Sequence, residues 1–176
     1  LDAQTGPATN VITDLLEDDR GNLWIATLGV GLQCLDIQTG KITVYTEEKN
    51  KLPSNRVNSL ELTRNRNLLM GTTHGVAVLD FGKNVVTSYT GTRGGNTPYS
   101  SLYINHVIED HRGLWWIATR DGVDVYDTKN DRLDFIGAAE GLRNAVVLGV
   151  ACSGNESVWA STAGGTCHIV VGKDDT

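Results

Sequence analysis

The hydrophobic positions of this chain come in short runs, and the runs recur. A few residues rich in Val, Ile, Leu, Thr and Trp give way to Gly, Asn or Asp, and another such run follows. No stretch holds a 3.6-residue apolar period long enough for a helix, so the pattern predicts strands cut by tight turns. Within residues 11–46 it predicts four strands, at about 12–17, 23–27, 32–37 and 41–46, with turns at 19–22, 29–31 and 38–40.

The arrangement then returns three times. Thr27, Thr72, Thr119 and Thr162 close the runs WIAT, LMGT, WIAT and WAST, at spacings of 45, 47 and 43 residues. Fifteen residues before each Thr stand Ile12, Val57, Ile104 and Val147, and three before stand Trp24, Leu69, Trp116 and Trp159. Gly31, Gly75, Gly122 and Gly165 follow, and five residues beyond them come Asp36, Asp80, Asp127 and, breaking the pattern, Val170. Four strands in a repeat of this length form the blade of a β-propeller. One four-stranded sheet cannot bury either face alone, whereas blade stacked on blade buries both, and the large ring of the Trp position is expected to fill the space between blades. The expected fold is therefore all-β: a single partial β-propeller over residues 1–176. It has about four blades of four antiparallel strands, at roughly 11–46, 56–90, 103–136 and 146–171. The last blade is incomplete, because only residues 172–176 follow its third strand.

These residues resemble the two-component regulator propeller repeat. The first copy carries the pattern in Glu17-Asp18, Gly21, Leu23-Trp24-Ile25-Ala26-Thr27, Gly31-Leu32, Leu35-Asp36, Gly40 and Tyr45. The third carries it in Glu109-Asp110, Gly113, Trp115-Trp116-Ile117-Ala118-Thr119, Gly122-Val123, Tyr126-Asp127 and Phe135. The second departs from it at LTRNRN (62–67) and the fourth at Cys152-Ser153. The resemblance spans about residues 11–171. It implies the periplasmic sensor region of a bacterial hybrid two-component histidine kinase/response regulator. The implied ligands are oligosaccharide breakdown products of polysaccharides, and the implied partners are further blades and the other receptor domains. The propeller itself would perform no catalysis.

Charge narrows the partners. Lys and Arg number 15 against 21 Asp and Glu, a net charge of -6, and the basic residues are scattered. Nucleic acid is therefore excluded as a partner, since phosphate neutralisation needs clustered cations. No apolar run approaches the ~20 residues that span a bilayer. The chain opens on Leu1-Asp2, with no Met and no basic-then-apolar leader, and reads as a piece of a larger protein. LDAQTG at 1–6 echoes LDIQTG at 35–40. An open propeller segment exposes sheet edges and blade faces, so self-association is expected to cover them.

Candidate chemistry is sparse. Cys34, Cys152 and Cys167 form no CxxC pair. Cys152 and Cys167 fall on strands flanking a third, about 10 Å apart, beyond disulfide reach. All three are expected as free, largely buried thiols. His74, His106, His111 and His168 fall in different blades or strands, so neither metal nor cofactor is expected. Glu17-Asp18 and Glu109-Asp110 suggest acid–base chemistry, but they recur at one place before a turn, where Asp accepts from turn N–H groups. EDDRGN (17–22) lacks the alternating carboxylates of a calcium loop, and GTRGGN (91–96) lacks the Lys-Ser/Thr of a phosphate loop. Asn155-Glu156-Ser157 matches a glycosylation sequon and reads equally as a plain turn.

The informative segment is the one that does not repeat. The connections between blades, at about 46–54, 90–101 and 136–144, share one propeller face with the turns after the recurring Thr residues. The middle connection is longer and offers Arg93, Asn96, Tyr99 and Tyr103. Aromatic rings stack on the C–H faces of sugars while polar neighbours bond hydroxyls, and Arg suits an acidic sugar. Arg56, His74, Arg120, Asp121 and Arg143 are placed on the same face. The competing reading is an insertion whose tyrosines pack on the rim. The leading expectation is a ligand sensor and the alternative a structural or protein-interaction propeller. A propeller lyase or hydrolase would need a convergent His/carboxylate set that the sequence does not show.

Overall fold

The computed structural model describes residues 11–91, 98–154 and 157–170. Its first blade comprises β1 (Ile12–Glu17), β2 (Asn22–Thr27), β3 (Leu32–Asp36) and β4 (Ile42–Tyr45). The second comprises β5 (Val57–Leu62), β6 (Leu68–Thr72), β7 (Gly75–Asp80) and β8 (Val85–Tyr89). The third comprises β9 (Ile104–Glu109), β10 (Leu114–Thr119), β11 (Val123–Asp127) and β12 (Arg132–Ile136). The fourth has β13 (Val147–Ser153), β14 (Ser157–Thr162) and β15 (Gly165–Val170). Each is an antiparallel meander in chain order, and the fourth has three strands among the described residues. A single helical turn, α1 (Glu47–Asn50), is capped by the Thr46 hydroxyl, which accepts from the Lys49 N–H at 3.2 Å. One turn is too short to leave an apolar period in the sequence. Among the described residues no helix is long and apolar enough to cross a membrane.

Three side-chain devices explain the repeat. The first is the Thr. Thr27, Thr72, Thr119 and Thr162 donate their hydroxyls to the carbonyls of Gly31, Gly75, Gly122 and Gly165 at 2.7, 2.8, 3.0 and 2.7 Å. The same oxygens accept the N–H of Val30, His74, Asp121 and Gly164 at 3.0–3.2 Å, closing each turn from within. The second is the Asp before the first turn. Asp18 accepts the Trp24 indole N–H at 2.8 Å and the backbone N–H groups of Arg20 and Asn22. Asp110 treats Trp116, Arg112 and Leu114 in the same way. These carboxylates are therefore turn staples and indole acceptors. Burial pushes them up, yet the donated bonds outweigh it and hold both below the ordinary carboxylate range.

The third device is a bulge. Pairing of the first two strands slips at one place in every blade, leaving Thr13, Asn58, Asn105 and Leu148 out of the ladder. A bulge re-aims its side chain, and here it points at the next blade. Thr13 Oγ1 donates to the Val57 carbonyl at 2.5 Å, Asn58 Nδ2 to Ile104 at 2.6 Å and Asn105 Nδ2 to Val147 at 2.6 Å. Leu148 has no donor and is 56% exposed.

The core lies between blades. Trp24, Leu60 and Met70 belong to one cluster between blades 1 and 2, and Phe81 stacks on Trp24 at 5.2 Å. Leu69, Ile104, Trp115 and Tyr126 join blades 2 and 3. Trp116, Val150 and Val158 join blades 3 and 4. Trp159 departs from the expected role: it is 44% exposed and stacks on His168 at 4.3 Å instead of filling an interface. The cysteines also depart from expectation. All three are free, but Cys34 and Cys167 are half-buried and Cys152 is exposed. Cys152 stands where the first and third blades have Glu17 and Glu109, and Ser153 takes the staple position.

Candidate functional site

The inter-blade connections and the turns closed by Thr do share one face. Gly29 and Gly31 donate to the Asn55 carbonyl, Thr73 to Arg56, Gly75 to Leu102 and Ala163 to Val146, all at 2.8–3.1 Å. Arg56 and His74 are exposed there, as are Arg120, Asp121 and Arg143. They are spread along successive blades. The structure brings together Tyr103 and Arg120, whose guanidinium lies 3.5 Å from the ring centroid. A cation held this way is attracted by the ring quadrupole. Arg143 is held by its backbone, whose N–H points to the Cys167 sulfur at 3.4 Å. Arg93 and Asn96 lie outside the described residues.

Tyr99 is not a surface platform. It is 4% exposed, meets Tyr126 edge-on at 6.3 Å and belongs to the cluster between blades 2 and 3. Its buried hydroxyl has no hydrogen-bond partner among the described residues. Burial drives its ionisation far above the ordinary tyrosine range. The described end of the non-repeating connection is thus anchored by a ring sunk into the core between blades 2 and 3.

A second anchor stands beside it. Ser100 donates both its N–H and its hydroxyl to Asp124 Oδ2, each at 2.9 Å, and its hydroxyl lies 2.9 Å from Thr119 Oγ1. Asp124 is 1% exposed. Burial pushes its carboxyl up to about 6, the Ser100 bonds pull it down, and Asp121 nearby adds a further upward push. Pro98, Ser100, Asp124, Leu133 and Phe135 line a cleft of about 310 Å³ at the rim of blade 3. Neither Asp124 nor Ser100 was among the residues expected from sequence. The available signal was the odd residue of the repeat: Asp124 stands where the other copies have Gln33, Ala77 and Cys167, in the middle of an apolar strand.

The Asp124 shift fixes a sign. A carboxyl raised in the folded state takes up protons on folding, so its contribution is greatest below the unfolded value near 3.8 and is lost as pH rises through about 6. Stability is expected to fall by about 2 kcal/mol across that window. Asp124→Asn should flatten the slope in urea midpoints measured from pH 4 to pH 7, and an unchanged slope would count against the burial argument.

Two further clefts lie on the opposite face. One, of about 340 Å³, lies between blades 1 and 2 around Trp24, Tyr45 and Phe81. The other, of about 350 Å³, lies between blades 3 and 4 around Trp116, Val125 and Ile169. Among the described residues no cluster of His, Cys, Asp and Glu could hold a metal ion.

Residues 6–29 match the family described as two component regulator propeller, so the first blade carries that repeat. No curated protein sequence matches the chain. Among solved structures, the chain is similar to an extracellular domain assigned to a hybrid two-component system of B. thetaiotaomicron, with a TM-score of 0.73 and 20% identity. That match covers 93% of this chain and 21% of the other. A second such domain from the same organism gives 0.55 and 16%, covering 93% and 28%. The virginiamycin B lyase of Staphylococcus aureus, solved with quinupristin, gives 0.68 and 13%, covering 93% and 57%. These likenesses establish the β-propeller fold. The chain spans about a fifth of the first of these proteins.

Proposed function

We propose that this chain is a ligand-sensing segment of a periplasmic propeller in a membrane two-component receptor, and that it performs no chemistry of its own. The observation that carries this reading is the two-component regulator propeller repeat at residues 6–29, continued by three further blades built on the same Thr and bulge devices. The extracellular domains of B. thetaiotaomicron support the receptor context. The resemblance points to oligosaccharides released from polysaccharides as ligands. On this face they would meet Tyr103, Arg120 and the connection that contains Arg93 and Asn96. Tyr103 and Arg120 form a rigid aromatic–cation pair at the rim, suited to the C–H face and hydroxyls of a sugar.

Calorimetric titration of the receptor's whole sensor region with an oligosaccharide panel tests the proposal. A ligand that binds should lose about tenfold in affinity on Tyr103→Ala or Arg120→Ala, about 1.4 kcal/mol. Tight binding of a partner protein with no response to any oligosaccharide would favour an interaction propeller instead.

A further inference from the structure

Three aspartates among the described residues are almost completely buried: Asp18 at 7%, Asp110 at 3% and Asp124 at 1% exposure. Two of them are saturated. Asp18 and Asp110 accept on both oxygens from a Trp indole, turn N–H groups and polar side chains. Asp124 is different. Both donors from Ser100 go to Oδ2, and no described residue donates to Oδ1. Among the described residues it forms no ion pair with Lys or Arg, and the charged group that acts on it is another carboxylate, Asp121. Arg120, the neighbouring cation, is turned onto Tyr103.

The fold does not require this carboxylate. Gln33, Ala77 and Cys167 occupy the same strand position in the other blades, and those blades close as well. A buried carboxylate without a counter-charge is costly, so anchoring Ser100 through Oδ2 does not by itself account for an ionisable group here. The surroundings of Asp124 suggest a further role. Asp124 lines the cleft at the rim of blade 3, whose walls are Pro98, Leu133 and Phe135. The flanking strands set Ile117 and Phe135 opposite it. Phe135 is 47% exposed, so its ring is open to the cleft. The hydroxyl of Tyr99, which has no hydrogen-bond partner among the described residues, is buried in the same connection, one residue from Ser100. A carboxylate lacking a cation, set beside an exposed aromatic ring and apolar walls, is complementary to a positive charge on an apolar body.

We propose that this cleft binds a small molecule that presents an ammonium group to Asp124 and an apolar face to Phe135 and Leu133. The assignment deepens the ligand-sensing reading of this face and rests on it. The ammonium would replace the missing counter-charge at Oδ1, while the Ser100 bonds hold Oδ2 in place. Asp121 at the turn adds attraction, and neither Leu133 nor Phe135 offers a competing donor.

The test uses two pairs of probes matched in shape and differing in charge: cyclohexylammonium with cyclohexanol, and glucosamine with glucose. Titration of the full chain at pH 7.5 should show the ammonium member of at least one pair bound ten or more times tighter than its neutral partner. Asp124→Asn should abolish that preference. Cooperative urea unfolding of Asp124→Asn with an unchanged m-value separates loss of charge from disturbance of the connection. At pH 5, with Asp124 largely protonated, the preference should shrink severalfold; among the described residues the other titratable groups coupled to it are Asp121 and Tyr99. Equal binding of charged and neutral members, binding of neither, or a preference that survives Asp124→Asn would each overturn the site. If the preference is absent while the oligosaccharide panel still binds, this proposal falls and the sensing reading stands.

Discussion

Gly31→Ala is expected to destabilise the protein by upwards of about 3 kcal/mol, whereas the same substitution at the repeat-equivalent Gly165 should cost about 1 kcal/mol. Both glycines have positive φ, +90° and +121°, so a side chain strains the backbone at either site. The difference is what lies beyond. A Cβ at Gly31 would sit 2.1 Å from the Tyr45 carbonyl oxygen, inside any tolerable contact. At Gly75 it would meet the Tyr89 carbonyl at 2.5 Å and at Gly122 the Ile136 carbonyl at 2.7 Å. Each of these carbonyls belongs to the last residue of an outer strand, β4, β8 or β12. In the fourth blade β15 has no such strand beside it among the described residues, and the nearest atom to the added Cβ is Arg143 Cδ at 3.8 Å. Urea unfolding midpoints for the two variants, with unchanged m-values, measure the contrast. Equal costs at the two positions would mean that backbone strain alone dictates this glycine.

That glycine illustrates how far the sequence could be read. Its recurrence every forty-odd residues marks the blade, because in the first three blades the outer strand closes over the same turn. The Thr and the first turn are legible for the same reason: each is a local device, satisfied within a few residues. The bulge is not. Thr13, Asn58 and Asn105 share only a polar donor, and their acceptors lie on the next blade. Strand pattern alone therefore shows nothing at the position. The fourth blade is equally hard to read. Trp159 carries the same letter as Trp24 and Trp116, yet a ring is buried only when a neighbouring blade covers it. Tyr99 misled in the opposite sense. An aromatic residue in a long polar connection suggests a surface platform, but such a connection also needs something to pin it, and the cavity between blades 2 and 3 accepts the ring. Asp124 was visible as an oddity but not as a site. Its significance depends on which donors reach it, and those come from a connection whose path no period describes.

Asp110→Ala is expected to lower stability by about 3 to 4 kcal/mol, because one carboxylate serves several buried donors at once. It accepts the Trp116 indole N–H at 3.0 Å, the Arg112 and Leu114 N–H groups at 2.8 and 3.0 Å, and the Arg112 guanidinium at 2.6 Å. Trp116 is 2% exposed, so its N–H would be left without water or partner. The second blade shows the compensated alternative. There Thr63 takes the staple position, exchanging hydrogen bonds with the Asn67 backbone, and Leu69 replaces the Trp, leaving no indole to satisfy. Installing that pair in the third blade, as Asp110→Thr with Trp116→Leu, should therefore cost less than the sum of the two single changes. The coupling should be about 1 kcal/mol or more. The pH dependence should change as well. The folded-state carboxyl is held below its ordinary value, so its contribution is complete above about 3.8 and is lost as pH falls through the lower folded value. Wild type should lose stability over that acid range by an amount that Asp110→Thr does not share, measured by urea midpoints below pH 4. Strict additivity of the two substitutions, with identical acid profiles, would mean that the Asp and the Trp recur together for separate reasons.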